Sequence, residues 1–403
     1  PDGSYSKLAE AYAWGSNVIT NPLNFLYQQS DVIKSNKILT NGAITYEPFK
    51  GLLIKTLAGI ESTDDRTDAY TTTKFVNSKG SATIETQRVT SILSENTISY
   101  IKDFGKNSIS AVAGFTYQDY TSNYLKASGS GFISDNQETH DIGAAATQGV
   151  PVSSYSKWAL LSYLARVNYT FNNKILATAS FRADGSSRYS EGQKWGFFPS
   201  GALAWRLSEE EFIKNIPFIS DLKLRAGYGE TGNTSIQPYY TLNQLNSGQV
   251  VFGDAFMTSY APGTRLAGSL RWETTAQTDF GIDLGLWNNR VNVTADYYIK
   301  NTRDLLNNVA LPSSLGYTFT IQNIGKIQNK GFELGVNAAV LEGAFKWNVS
   351  TNLSINKNKV VKLYGGNDIL GQTIGAAVND NVNILREGYP LGSFYGYVEK
   401  GYD

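Results

Sequence analysis

The histidine and cysteine content gives enzyme chemistry little to build on. His140 is the only histidine among the 403 residues, and cysteine is absent. A serine-histidine-aspartate triad needs a histidine beside its nucleophile, and a zinc site needs several histidine or cysteine ligands. His140 falls in a long connection, where a solvated loop residue is the simpler interpretation. The sequence therefore predicts no catalytic residue and no enzyme.

A glycine-rich segment at 227–232, GYGETG, formally matches the G-x-G-x-x-G pattern of dinucleotide-binding proteins. That pattern requires a helix directly after the glycines. Here Asn233, Thr234, Ser235 and Pro238 follow, so we expect the glycines to end a strand and open a loop. No cofactor is predicted.

Acidic residues are plentiful but scattered. Asp64, Asp65 and Asp68 could offer oxygen ligands to calcium, although such a cluster is more often a solvated loop tip. Glycoside hydrolysis needs two carboxylates across a cleft, and nothing in the sequence places any pair in that way. No metal site is predicted.

Aromatic side chains in the connection at 230–272 are the candidates for contact with a ligand. Flat rings bury a large apolar surface and could stack on sugar rings or peptides. Packing of the loops against each other would explain the same residues equally well. The four candidates are Tyr239, Tyr240, Phe252 and Tyr260.

The elements that would position these residues are about twelve strand-like segments of alternating polarity. In 344–356 every second side chain from Phe345 to Ile355 is apolar or Thr, and the residues between them are polar. Successive side chains of a strand face opposite sides, so each such strand has one apolar and one polar face. The predicted strands are 38–47, 51–61, 92–103, 108–120, 159–171, 174–184, 195–206, 221–229, 273–287, 290–300, 329–341 and 344–356.

Connection length alternates between short and long. Long excursions at 62–91, 121–158, 230–272 and 301–328 separate the tight turns. An antiparallel meander of this kind, with strands of the nine to eleven residues that cross a bilayer, is typical of transmembrane β-barrels. The tight turns are predicted at Glu47-Pro48, Phe104-Gly105-Lys106, Asn172-Asn173, Asn288-Asn289 and Glu342-Gly343.

Tryptophan placement favours the same architecture, because aromatic rings collect at the two headgroup levels of a membrane. The alternative is that they fill the core of a soluble β protein. All except Trp14 fall near predicted strand ends, with Trp158, Trp195 and Trp272 after long connections and Trp205, Trp287 and Trp347 beside short ones.

Composition excludes several other classes. Formal net charge is zero, with 35 basic and 35 acidic residues, so nothing favours a nucleic-acid partner. No apolar run of 18 or more residues indicates a membrane helix. One short helix is predicted where Ser208 and Glu211 have capping-box spacing before Pro217.

Several longer segments resemble one family. The chain is similar to SusC/RagA-type TonB-dependent outer-membrane transporters of Bacteroidetes in motifs that occur in the expected order. The motifs are FRADGSSRY at 181–189, KWGFFPS at 194–200, LKLRAGYGETGN at 222–233, WET at 272–274, NIGKIQNKGFE at 323–333 and REGYPLGSFYGY at 386–397.

The resemblance implies a 22-stranded barrel in the bacterial outer membrane, with a plug domain in its lumen and a SusD-like surface lipoprotein as partner. It also implies import of glycans or peptides with energy from TonB, which would act through an N-terminal plug region. We expect residues 1–403 to be an all-β, antiparallel, partial barrel of about twelve strands in contact with outer-membrane lipid. Residues 1–37 are expected to be irregular and extracellular, and the plug and C-terminal strands are not recognisable.

Two alternatives stay open from the sequence. One is a self-contained 12–14-stranded outer-membrane channel or adhesin, and the other is a secreted β-rich glycan-binding protein or hydrolase. The matched motifs favour neither a particular cargo nor particular cargo-contacting residues. The long loops, including 236–262, are hypothesised to contact the lipoprotein.

Overall fold

A computed structural model describes residues 22–371, 380–398 and 400–401, and antiparallel strands dominate it. The helices are α1 (Pro22–Gln28) and α2 (Glu211–Lys214). No helix in these ranges is long and apolar enough to cross a membrane. The strands are β1 (Gln29–Phe49), β2 (Leu52–Thr71), β3 (Ser81–Phe104), β4 (Asn107–Ser130), β5 (Thr147–Gln148), β6 (Val152–Phe171), β7 (Ile175–Ser186), β8 (Trp195–Arg206), β9 (Ile219–Asn233), β10 (Leu245–Phe252), β11 (Ala255–Pro262), β12 (Arg265–Leu266), β13 (Glu273–Leu286), β14 (Val291–Ala310), β15 (Phe319–Glu342), β16 (Lys346–Lys362), β17 (Ile369–Leu370), β18 (Asn383–Leu385) and β19 (Ser393–Phe394).

The main sheet is a meander. Its strand order is β1-β2-β3-β4-β6-β7-β8-β9-β13-β14-β15, and β16 pairs with β15. The short strands β5 and β12 pair with β4 and β15, while β10–β11 and β17–β19 form two small separate sheets. Long strands joined to their sequence neighbours confirm the predicted all-β antiparallel class.

Contacts divide the chain into two units, each with its own small core. The first comprises Pro1–Ala43, Leu57–Ser94 and Gln118–Ala159, and its buried apolar residues are Tyr70, Ala82, Phe132 and Ala145. The second comprises Ile44–Thr56, Glu95–Tyr117 and Leu160–Asp403, and its buried apolar cluster is Tyr189, Phe198, Ile236, Leu270, Trp272 and Ile321.

All twelve predicted strands are present, but most are longer than predicted. The segment predicted at 290–300 extends to Ala310, and the one predicted at 329–341 begins at Phe319. These extensions occupy much of the predicted long connections, leaving, for example, 311–318 between β14 and β15. The period-two apolar signal stops partway along these strands, whereas backbone pairing continues beyond it.

Four of the five predicted tight turns are confirmed, and one is displaced. Asn172, Asn173, Asn288 and Asn289 all have positive φ, which asparagine tolerates better than most residues. The turn predicted at Glu47-Pro48 is wrong, because β1 continues to Phe49 and the chain reverses at 50–51.

The physical reason for the displaced turn lies in Gly51 and Pro48. Gly51 has φ of +91°, a conformation that glycine adopts without strain, and its N–H donates to the Glu47 carboxylate at 3.0 Å. Pro48 is the second-last residue of β1, next to this reversal, and its missing N–H makes it a poor residue for continuing a strand.

The helix predicted after β8 is present as α2, but its predicted capping box is wrong. Ser208 lies in a 3-10 turn before the helix, and its hydroxyl donates to Asp221 Oδ1 at 3.0 Å. Glu210 is the residue that precedes the helix, and it makes no side-chain cap hydrogen bond. A polar partner across the connection therefore replaces the local cap.

The expectation that residues 1–37 are irregular is wrong for residues 22–37. Residues 22–28 form α1 and β1 begins at Gln29. Residues 1–21, with Trp14, lie outside the described residues.

The predicted girdle positions hold for some tryptophans and fail for others. Trp287 and Trp347 lie beside short turns, Trp205 lies at the end of β8 before the connection that contains α2, and Trp195 begins β8; all four are exposed. Trp158 lies within β6 rather than at its start. Trp272 is only 6% exposed, so the girdle interpretation is wrong for it.

Candidate functional site

One face of the second unit's strands carries a continuous apolar belt. Across β9, β13, β14, β15 and β16 the register places apolar side chains, most of them large, beside one another in rows, and most are exposed. One row is Ala226, Phe280, Tyr297, Phe332 and Ile355, and the next is Leu224, Ile282, Ala295, Leu334 and Leu353. An exposed apolar surface of this extent indicates contact with a membrane or a partner rather than with water.

The belt has the height of a bilayer. On β16 the outward positions run from Trp347 through Val349 and Leu353 to Ile355, with Thr351 between them. That stretch matches the roughly nine residues that a tilted strand needs to cross the hydrocarbon layer. The apolar face is therefore suited to lipid.

The opposite face of the same strands is polar, and its charges pair with each other. Arg225 Nη2 lies 2.9 Å from Asp283 Oδ1 and 3.0 Å from Asp296 Oδ1. Lys223 Nζ lies 2.9 Å from Asp283 Oδ2. Paired charges of this kind suit a hydrated wall, because each ion keeps both a partner and access to water.

A groove on the polar side of β6, β7 and β8 contains two arginines. Arg182 Nε donates to both oxygens of Asp184, at 2.7 and 2.9 Å. Arg166 lies opposite Ser180 in the ladder, so it shares that face, and it forms no ion pair with any described residue. Ser180 and Ser200 share a hydrogen bond of 2.5 Å beside them. The groove therefore offers guanidinium and hydroxyl groups to a polar ligand.

The connections around the start of β13 pack into a compact aromatic cluster. The Trp272 ring lies 5.0 Å from that of Tyr189 and 5.4 Å from that of Phe198. Trp272 Nε1 donates to the Lys194 carbonyl at 2.9 Å, and Leu270 beside it is fully buried. Because its indole N–H is satisfied, Trp272 can be buried at little polar cost.

Glu273 joins three segments of this cluster. Its Oε2 accepts hydrogen bonds from Asn233 at 2.9 Å and Ser235 at 3.3 Å, and its Oε1 accepts one from the Leu306 N–H at 2.8 Å. Tyr189 donates its hydroxyl to the Asn233 carbonyl at 2.7 Å. Burial, reinforced by the negative charge of Glu273, raises the pKa of Tyr189 above its ordinary value. These bonds tie the connections after β7 and β9 to the start of β13 and to the last part of β14.

The structure divides the four aromatic candidates into two pairs. Tyr240 packs against the aromatic cluster, and the Arg265 guanidinium lies 4.1 Å from its ring centre. Tyr239 precedes it in a left-handed conformation with φ of +65°. Phe252 and Tyr260, by contrast, lie on β10 and β11 and are 77% and 70% exposed.

Sequence reasoning missed the hairpin that carries the second pair. In it Val250 lies opposite Met257 and Val251 opposite Phe256, and all four side chains are exposed. The available signal was Gly253-Asp254, a two-residue turn between two short apolar runs.

The other motifs from the sequence have structural explanations. The GYGETG segment ends a strand, as predicted, but β9 continues to Asn233, four residues beyond the predicted end at 229. His140 Nδ1 lies 3.1 Å from the carbonyl oxygen of Gln137.

The three aspartates at 64–68 are on strand β2, so the loop-tip interpretation was wrong. Neighbouring strand residues face opposite sides, so Asp65 points away from the face that Asp64 and Asp68 share. Asp64 pairs with Arg88 at 2.6 Å, and Asp68 pairs with Arg66 at 2.9 Å. No described group of three histidine, cysteine or acidic residues could hold a metal ion.

Comparison with known proteins gives one consistent result. Residues 3–402 match the family described as TonB dependent receptor-like, beta-barrel. The chain is 36% identical over 388 residues to TonB-dependent receptor P3 of Formosa agariphila. The alignment covers 95% of this chain and 39% of that protein. It is 33% identical over 406 residues to TonB-dependent receptor SusC of Bacteroides thetaiotaomicron, covering 96% of this chain and 40% of that protein.

A solved structure agrees with these relatives. The RagAB peptide transporter superposes with a TM-score of 0.84 and 26% sequence identity, over 94% of this chain and 42% of the matched chain. The chain thus spans about two fifths of the length of the proteins it matches.

Proposed function

The chain belongs to the TonB-dependent receptor-like β-barrel family, and from that premise we propose that it forms part of the wall of an outer-membrane importer of the SusC/RagA type. The observation that carries the proposal is the pair of sheet faces described above: an apolar belt on one side and paired charges on the other. We take residues 1–403 together as one barrel segment.

In this proposal the apolar belt faces lipid and the polar face lines a water-filled lumen. Tight turns of barrel proteins lie on the periplasmic side and long connections lie outside the cell. The aromatic cluster and the hairpin β10–β11 would therefore stand on the extracellular side. Backbone groups in lipid must be satisfied within the sheet, so the wall functions as part of a closed barrel.

The proposed cargo is a glycan or an oligopeptide, with TonB supplying energy through a plug region and a SusD-like lipoprotein as surface partner. Support comes from the relatives, one named SusC and another a peptide transporter. The arginine groove on the polar face would suit a polar cargo of either kind. Phe252 and Tyr260 are the proposed contacts with partner or cargo, since both are exposed.

Native mass spectrometry tests the assembly. The outer-membrane species containing these peptides would be extracted in mild detergent and weighed. We expect a subunit more than twice the 44.2 kDa of this chain, with a co-purifying lipoprotein. A lone 44.2 kDa species would contradict the importer and favour a small channel.

Cysteine labelling tests the assignment of the two faces. Phe280 and Asp279 are neighbours on β13 that face opposite sides, and the chain has no native cysteine to interfere. In the full transporter, made cysteine-free elsewhere, Asp279→Cys should react with a water-soluble maleimide and Phe280→Cys should not, because a thiol in hydrocarbon stays protonated and only the thiolate reacts. The reverse pattern would exclude the proposed orientation.

A further inference from the structure

The apolar belt ends abruptly in lysines on its outward face. On β15 and β16 the pair Phe332 and Ile355 is followed, one outward position further on, by Lys330 directly opposite Lys357. The next outward position brings Lys359 opposite Gln328. All three lysines are exposed, and none forms an ion pair with a described residue.

Two like charges directly opposite each other destabilise a strand pair. Glu230, which shares a row of the register with Gln328 and Lys359, does not relieve this pair, because it lies on β9 and is already engaged by Arg303 at 2.9 Å and by the Tyr228 hydroxyl at 2.7 Å. Gln328, the neighbour of Lys330 on the same face, donates to Asn301 at 2.9 Å. The positive charge is therefore left for a group from outside the chain.

The position of the lysines along the strands indicates which group from outside the chain could meet their charge. The other end of the belt is Trp347, next to the tight turn at Gly343, so the lysines stand at the end that carries the long connections. Under the proposed function this is the headgroup level of the outer leaflet. Long lysine side chains lay their methylene stems on apolar surface and keep the ammonium in the polar layer.

We propose that Lys330, Lys357 and Lys359 form a binding site for the phosphate-bearing headgroup of an outer-leaflet lipid. Three ammonium groups can donate charge-assisted hydrogen bonds to phosphate oxygens. The acyl chains of the same lipid would lie on Phe332, Ile355 and the neighbouring Tyr297. The inference rests on the proposed function, because it requires the apolar face to contact lipid.

The test uses the full transporter in nanodiscs of phosphatidylcholine containing a minor fraction of phosphatidic acid. Lipids retained on the protein are counted by native mass spectrometry. The test variant is K330Q/K357Q, and the matched control K300Q/K346Q removes the same charge from the polar face, where Lys300 lies at almost the same height.

We expect wild type and control to retain phosphatidic acid in preference to phosphatidylcholine. In the test variant the ratio of retained phosphatidic acid to phosphatidylcholine should be about tenfold lower. Soluble inorganic phosphate should not displace the lipid, which separates a lipid site from a free phosphate site. Equal retention of phosphatidic acid by the test variant and wild type would overturn the proposal. So would the absence of any preference for phosphatidic acid in wild type, because the lysines would then be solvated only. Heat-modifiable migration on a gel confirms that each variant is folded.

Failure of this inference can be told apart from failure of the proposed function. If Asp279→Cys reacts with the water-soluble maleimide and Phe280→Cys does not, but no phosphatidic acid is retained, the barrel assignment stands and only the lipid site is lost. If Phe280→Cys reacts and Asp279→Cys does not, the orientation itself is wrong.

Discussion

The connection between β9 and β13 contains two regions with opposite packing. Near its ends, Ile236, Leu270 and Trp272 are buried with Tyr189 and Phe198 in the aromatic cluster. In its middle, the hairpin β10–β11 leaves all its large apolar side chains exposed. Both regions are rich in aromatic and aliphatic residues, so composition does not distinguish them.

The difference shows that neighbours, more than hydrophobicity, decide burial in these loops. The aromatic cluster receives side chains from the connections after β7 and β9 and from strands β8, β14 and β15, and Glu273 bonds both to the connection after β9 and to β14. The hairpin has only its two strands, and a two-stranded hairpin is marginally stable in water. We therefore assign the cluster to scaffolding and the hairpin to contact with a partner.

The largest expected effect is on the cluster. Trp272→Ala should lower the free energy of unfolding by about 3–5 kcal/mol, because it removes a buried ring and leaves a cavity. Denaturant unfolding of the full transporter measures it. Trp347→Ala is the control, since Trp347 is 51% exposed and should cost clearly less. Equal losses would mean that Trp272 is not a packing centre.

Deleting the hairpin should weaken partner binding and leave stability almost unchanged, the opposite of the Trp272 substitution. Removal of residues 246–261 is expected to weaken lipoprotein binding by about tenfold or more, because exposed aromatic residues are frequent binding hot spots. Stability of the barrel should stay within about 0.5 kcal/mol of wild type. Quantitative co-purification of the lipoprotein is the measurement, and unchanged recovery would remove the hairpin from the proposed interface.

A smaller effect should follow from the hydroxyl of Tyr189. Tyr189→Phe removes the hydrogen bond to the Asn233 carbonyl and should cost about 1 kcal/mol at neutral pH. In wild type the raised pKa means that the folded state resists ionisation of this tyrosine. That stabilisation is complete below the ordinary tyrosine pKa of about 10 and is lost as pH rises towards the folded value.

The Tyr189→Phe variant has no hydroxyl to ionise at this position. Its free energy of unfolding should therefore fall less than that of wild type as the pH rises. Denaturant unfolding of wild type and variant between neutral and alkaline pH provides the comparison. Parallel pH profiles for the two proteins would show that Tyr189 ionises as freely in the folded state as in the unfolded state.

The parts that the sequence predicted are those set by local pattern. Alternation in β14 and β16 and the paired asparagines at 172–173 and 288–289 located strands and turns, because both depend on a few adjacent residues. Motif resemblance then identified the family.

The parts that escaped prediction depend on residues far apart in the chain. Burial of Trp272 requires Tyr189 and Phe198, and the start of β15 at Phe319 is set by pairing with Ala310. Tyr240 and Tyr260 looked equivalent as loop aromatics, and only the position of Arg265 and the cluster separates them.

The smallest expected effect sharpens that last contrast. Tyr260→Ala should change the free energy of unfolding by less than about 0.5 kcal/mol, because the side chain is 70% exposed and lies on an unpacked hairpin. Tyr240→Ala, the matched substitution in the same connection, should cost several times more, because it removes a ring from the cluster and from beneath Arg265. Denaturant unfolding of both variants gives the comparison. A loss at Tyr260 as large as that at Tyr240 would mean that the hairpin is packed in the folded transporter, and the division between scaffold and contact surface would no longer hold.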